Sequence, residues 1–140
     1  MSDRKDRPHL GQLVVGCDGS PESNRALERA AALARDLGMQ VAAVNVIPAV
    51  SFGKPHPAEE REQKEILAEA RTKLAELGVE ADAVGIVGEP ADELIAYARK
   101  TVADLIIVGT HGRGTAGRLL LGSVSTQVLH HADRDVLVIR

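Results

Sequence analysis

Tryptophan is absent from this 140-residue chain, and phenylalanine and tyrosine occur once each, as Phe52 and Tyr97. Gripping single-stranded nucleic acid by stacking bases on aromatic side chains therefore has almost nothing to work with. Charge points the same way, because 17 basic against 20 acidic side chains leave a formal net charge of −3, with no broad attraction for a polyanion. Nucleic acid is not an expected partner. Cysteine occurs once, as Cys17, so an intramolecular disulfide is excluded and a reducing, cytoplasmic setting suits the chain. No apolar run approaches the roughly 20 residues that a membrane-spanning helix needs. The opening MSDRKDRPH mixes both charge signs and lacks the apolar segment of a secretory signal. Residues 1–9 are expected to form a flexible tail ahead of a single domain over residues 10–140. Repeats, low-complexity tracts and linkers are missing as well.

What the chain does have is order in its apolar residues, 44% of the total. Leu13-Val14-Val15-Gly16-Cys17 is a continuous apolar run closed by Asp18-Gly19-Ser20-Pro21, which predicts a buried strand and then a helix with Ser20 as N-cap and Pro21 as its first residue. Ala26, Leu27, Ala30, Ala31, Ala34 and Leu37 follow at helical spacing, and Gly38 supplies the stop. A second unit runs from the strand Val41 to Ile47, through a loop with Pro48, Pro55 and Pro57, into a helix from about Ala58 to Leu77 that turns Ile66, Leu67, Ala70, Leu74 and Leu77 inward. Val79 to Ala83 alternates apolar with acidic residues, predicting a third strand at a sheet edge. Pro90 opens a helix with Leu94, Ile95 and Ala98 on one face. Leu105 to Val108 is the fourth strand, about Ser123 to His131 a short helix, and Val136 to Ile139 the last strand. Strict alternation of strands and helices, with mostly continuous apolar strands, predicts an α/β fold: an open parallel five-stranded sheet covered by helices on both faces.

Five glycines fall within the seventeen residues GTHGRGTAGRLLLGSVS, Gly109 to Ser125, directly after the fourth strand. Open sheets of this class bind ligands beyond the carboxyl ends of their strands. Gly112 to Gly117 matches G-x-G-x-x-G, but a dinucleotide helix starting there would carry Gly117 and Gly122 inside it at roughly 1 kcal/mol each, and no acid follows the last strand. The same segment nearly matches a P-loop, except that Leu119 stands where a magnesium-binding hydroxyl is required. A third spacing, Gly109-x-x-Gly112, nine residues, Gly122-Ser123, places a sharp turn off the strand and a helix N-terminus on one space. That is a phosphate site.

On those four positions, with Asp18 at the end of the first strand, the chain resembles the universal stress proteins, specifically the subgroup that binds ATP, over Leu13 to Ile139. The resemblance implies the strand order 3-2-1-4-5, a Rossmann-like sheet whose switch point lies between Asp18 and Gly109. It implies that Asp18 and the backbone near Gly16 contact the adenosine, and that Val46 meets the adenine through its main chain. Gly109 and Gly112 would line the ribose and phosphates, while Gly122, Ser123, Val124 and Ser125 would take the β- and γ-phosphates. Arg113, within the loop, is added as a counter-charge. ATP with Mg2+ is the implied ligand, in a nucleotide-dependent stress or signalling role with at most slow hydrolysis, since no full catalytic set is visible.

Plainer readings accompany these residues. Asp18 can stabilise a turn through its own backbone, Ser123 can serve as an N-cap, and His111 and Arg118 can be solvated side chains rather than a base and a phosphate ligand. Cys17 has no lysine or histidine near it in sequence to activate it and reads as packing. The alternative function is a dimeric interaction module of the same family that holds no nucleotide. A phospho-receiver lacks its acidic cluster and late lysine, and a flavin carrier lacks aromatic walls. In the implied order, Val136 to Ile139 is an apolar edge without protecting charges, so a homodimer pairing through this strand is expected.

Overall fold

The computed structural model describes residues 11–49, 53–110 and 121–140; the expected tail, residues 1–9, lies outside them. Nine elements follow in chain order: β1 (Gln12–Gly16), α1 (Pro21–Leu37), β2 (Gln40–Pro48), α2 (Pro57–Glu76), β3 (Ala81–Gly88), α3 (Pro90–Lys100), β4 (Leu105–Gly109), α4 (Ser123–His131) and β5 (Asp135–Ile139). All strand pairs are parallel, in the order β3-β2-β1-β4-β5. The α/β architecture predicted by the alternation is the one observed.

The continuous apolar strands are explained by cover on both sides. Side chains alternate across the sheet, so Leu13 and Val15 of β1 join Leu27, Ala30, Ala43 and Leu74 in one cluster with α1 and α2. Val14, between them, joins Val44, Leu94, Ile106 and Val128 in another with α3 and α4. Alanines on the inner face of α1 let that helix lie close to the sheet. Its ends are set as the sequence predicts: Ser20 Oγ accepts the Ser23 N–H at 3.1 Å, Pro21 occupies the first turn, and Gly38 takes φ +67° at the C-cap. Leu37 departs from the expected stripe. It is 46% exposed, as the last residue of the helix.

The third strand begins later and runs longer than the alternation suggested. Val79 donates its N–H to Leu74 O at 2.8 Å, and Gly78 has φ +85°, so both belong to the exit from α2. β3 instead pairs along β2 from Val41↔Ala81 to Pro48↔Gly88. It is nevertheless an edge strand with alternating burial, as expected. β1 is the hinge of the topology: the chain builds outward on one side through β2 and β3, then returns to β1's other side with β4 (Leu13↔Leu105, Val15↔Ile107). The crevice at the carboxyl ends of β1 and β4 is therefore the place to look for a ligand.

Candidate functional site

A cleft of about 350 Å³ opens at that switch point. It is lined by the ends of β1 (Gly16, Cys17, Asp18), β2 (Val44 to Pro48) and β4 (Val108 to Thr110), by the start of α4 (Gly122 to Ser125), and by Glu59, Glu62, Gln63 and Ile66 of α2. Eight of the residues nominated from sequence meet here: Gly16, Asp18, Val46, Gly109, Gly122, Ser123, Val124 and Ser125. The other two, Gly112 and Arg113, lie outside the described residues, as do His111 and Arg118.

Thr110 joins the phosphate side of the cleft to the sheet. Its N–H donates to Ile139 O at 2.8 Å, and its carbonyl accepts the Gly122 N–H at 2.6 Å and the Ser125 hydroxyl at 3.0 Å. The head of α4 is thus held directly against the end of β4. The helix N-cap is Gly122 rather than Ser123, and no side chain caps it. Intrahelical bonding starts with Thr126 N to Gly122 O at 3.0 Å, so the amides of the preceding residues have no partner inside the helix and lie at its positive end. Ser125 is only 2% exposed, and its hydroxyl hydrogen is taken up by the Thr110 and Gly122 carbonyls. What Ser125 offers a ligand is its backbone.

Two nominated glycines have neighbours of their own. A Cβ on Gly109 would stand 2.9 Å from Glu22 Cβ and 3.1 Å from its carbonyl carbon, so this glycine admits the first turn of α1. A Cβ on Gly16 would stand 3.2 Å from a methyl of Leu94. Asp18 Oδ1 accepts the Ser20 N–H at 2.9 Å, and its own N–H goes to Ser23 Oγ at 3.0 Å, so the turn-stabilising reading holds for one carboxylate oxygen.

On the nucleoside side, β2 outruns β1. The last β1–β2 register pair is Gly16↔Val44, and Cys17 N–H donates to Val44 O at 2.9 Å. Main-chain groups of a strand alternate sides with the pleat. Val46 therefore turns its N–H and C=O to the side that β1 has vacated, facing the cleft.

The Cys17 thiol is buried and 3.6 Å from Val44 O. Burial, with the Asp18 charge adding to it, pushes its pKa up to about 12. It is a packed thiol and not a nucleophile. Among the described residues the cleft lining has three acids, Asp18, Glu59 and Glu62, and no lysine, arginine or histidine. Clusters of three or more metal-binding side chains are also missing among them, so a divalent cation here would depend on ligand oxygens for most of its coordination.

Sequence reasoning passed over Thr110, Asn45 and Gln63. Asn45 carried a signal, a lone amide in the apolar run Val41 to Ile47. Its Nδ2 donates to Cys17 O at 2.7 Å, tying β2 to the end of β1. Gln63 sits in a polar helical stretch, and nothing in the sequence distinguishes it.

The sequence model described as the universal stress protein family matches residues 10–140 of the chain. A universal stress protein of Methanocaldococcus jannaschii is 32% identical over 138 residues, covering 92% of this chain and 81% of the relative. Among solved structures, the universal stress protein from Archaeoglobus fulgidus in complex with dAMP superposes with a TM-score of 0.80 at 28% identity, covering 93% of this chain and 98% of the other. A universal stress protein in complex with cAMP superposes with a TM-score of 0.77 at 29% identity, covering 94% and 98%.

Proposed function

The chain belongs to the universal stress protein family, and on that premise we propose that it is an ATP-binding member whose bound nucleotide sets its conformation or its partners. The observation that carries this reading is the joining of the uncapped head of α4 to the end of β4 through Thr110, within one cleft that also takes in Asp18 and Val46. The dAMP and cAMP complexes of the two related proteins support an adenine nucleotide as the occupant.

The residues present fit such a ligand. Val46 offers one donor and one acceptor to the Watson–Crick edge of a base, Ile66 and Leu94 give apolar walls, and Asp18 reaches the ribose. Ser123, Val124 and Ser125 direct backbone amides and the helix dipole at the β- and γ-phosphates, while Gly122, whose own N–H is held by Thr110 O, leaves the cap of the helix without a side chain, and Gly109, Gly112 and Arg113 are proposed along the phosphate chain. With three acids in the lining, triphosphate charge has to be neutralised chiefly by the amides, by Arg113 and by Mg2+ carried on the phosphates. Magnesium, if carried in on the phosphates, would supply charge neutralisation and orient them. Hydrolysis needs a water positioned in line with the γ-phosphate as well as a base, and this reading includes turnover that is slow at most.

The test is direct: purify the protein without added nucleotide, release whatever is bound with acid, and titrate the emptied protein with Mg-ATP in a calorimeter. Adenine nucleotide in the supernatant, or micromolar binding, is the expected result. A protein that is repeatedly empty and gives no heat with ATP overturns the reading.

A further inference from the structure

We infer that Asn45 is a positioning residue: its side-chain amide takes the Cys17 carbonyl in place of the Val46 N–H, and so keeps the Val46 main chain open to the cleft. The inference rests on the nucleotide reading above for what occupies that opening, whereas the opening itself belongs to the empty protein.

A parallel ladder continues by a fixed alternation of bonds. With Gly16 opposite Val44 and the Cys17 N–H on Val44 O at 2.9 Å, the next bond in register would run from the Val46 N–H to Cys17 O. That bond is not made. The β1–β2 pairing stops at Gly16↔Val44, while β2 goes on pairing with β3 as far as Pro48↔Gly88. Cys17 O is taken instead by Asn45 Nδ2, at 2.7 Å.

The Asn45 amide is held in the orientation this requires. It is buried, and its Oδ1 accepts from Gln63 Nε2 at 3.1 Å. The Gln63 nitrogen also faces two backbone carbonyls, Asn45 O at 3.0 Å and Ile86 O at 3.1 Å, so it can only be the donor. Asn45 Oδ1 is thereby fixed toward α2 and Nδ2 toward β1. On the other side of the Cys17–Asp18 peptide, the Asp18 N–H donates to Ser23 Oγ at 3.0 Å. Two side chains, one from β2 and one from α1, thus set the point at which β1 leaves β2. The Val46 side chain packs in the cluster under α3 and α4, and its main-chain groups point along the sheet to the place that β1 has left.

An apolar residue at position 45 would leave Cys17 O without its donor. An unsatisfied buried carbonyl is costly, and the in-register group able to relieve it is the Val46 N–H. The ladder would then grow by one bond and close the donor that the base is proposed to meet.

The experiment measures backbone amide exchange by NMR on the empty protein, and Mg-ATP binding by calorimetry, for the unmodified protein and for Asn45→Leu, which keeps the side-chain volume and removes the amide. In the unmodified protein the Val46 N–H is expected to exchange at least about a hundredfold faster than that of Val44, which lies inside the ladder. In Asn45→Leu, Val46 exchange is expected to slow at least about tenfold and Mg-ATP to bind at least about tenfold more weakly, with Val44 still protected. Retained protection at Val44 separates closure of the ladder from general loss of structure. Exchange at Val46 as slow as at Val44 in the unmodified protein overturns the proposal without any variant. So does an Asn45→Leu protein that melts cooperatively and leaves Val46 exchange unchanged, or one that protects Val46 yet binds Mg-ATP as tightly as before. If the unmodified protein shows the expected exchange but binds no ATP, the nucleotide reading falls and the opening of the ladder by Asn45 stands.

Discussion

Val102 and Cys17 show how far a single position depends on its backbone and its cover. Val102 follows α3 at φ +54°, a left-handed conformation that β-branched residues avoid, and its side chain is 71% exposed. It occupies the place where a helix exit favours glycine, with Val102 N–H to Arg99 O at 3.2 Å and Ala103 N–H to Ala98 O at 2.8 Å closing the turn. Val102→Gly relieves that strain with little loss of packing. It is expected to stabilise the protein by about 1 kcal/mol, seen as a melting temperature a few degrees higher; an unchanged or lower value would contradict the strain. Cys17 is the converse case, a side chain protected by burial. With its pKa at about 12, thiolate at pH 8 is scarcer than in the unfolded chain by a factor of about a thousand, so a thiol reagent should label the native protein at least that much more slowly than the urea-unfolded one. Because the folded value lies above the unfolded one, the stabilisation is complete below about pH 8.5 and is lost as pH rises toward 12. Cys17→Ala should therefore lose less stability than the parent over that alkaline range in urea melts.

At the scale of elements, the cleft depends on two close approaches at the end of β4. Gly109 lets the first turn of α1 come against the strand, and Thr110 clasps the head of α4. Gly109→Val would drive a side chain into the Glu22 backbone, at a cost on the order of 1–3 kcal/mol with or without nucleotide; a urea melt of the empty protein measures it. Gly122→Val acts differently. It crowds the cap of α4, where the phosphates are proposed to sit, and should weaken Mg-ATP at least about tenfold while shifting the melt of the empty protein by less than Gly109→Val does. Similar stability losses for the two, with ATP affinity intact, would assign both glycines to packing alone. α2 is the least covered helix, burying only Ala70 and Leu74 fully. Its N-terminus is nonetheless fixed by His56 and Glu59, through His56 N–H to Glu59 Oε1 at 3.0 Å and Ala58 N–H to His56 Nδ1 at 3.2 Å.

At the scale of the molecule, the sheet formed by the described residues leaves two strand edges, β3 and β5. β5 is apolar from Val136 to Ile139, and only Ile139 is buried within one chain. We expect a homodimer formed through β5, which sedimentation should detect as a two-chain species at micromolar concentration; a monomer throughout that range would contradict it. Asp133 and Arg134 flank this strand, and Arg134 donates to Ala98 O at 2.9 Å and also to Ala103 O, anchoring the start of β5 to the end of α3. A partner strand would thus meet a fixed edge. The net acidity of the cleft lining bears on the whole complex as well: chelating Mg2+ should weaken ATP binding more than it weakens AMP binding, since the added charge sits on the distal phosphates.

The chain order of strands and helices, their caps at Ser20 and Gly38, and the two faces of each central strand were all settled by local sequence, because periodicity and capping are properties of neighbouring residues. The glycine spacing likewise marked out one end of the sheet. Tertiary structure alone decided that Gly109 answers to Glu22, that β3 pairs with β2 only from Ala81, opposite Val41, that the Ser125 hydroxyl is consumed by Thr110, and that Gln63 meets Asn45 and Ile86. Each of these joins residues distant in the chain. Whether a side chain is spent on its own fold or left to a ligand depends on which distant carbonyl or backbone atom arrives beside it, and only the folded chain fixes that distance.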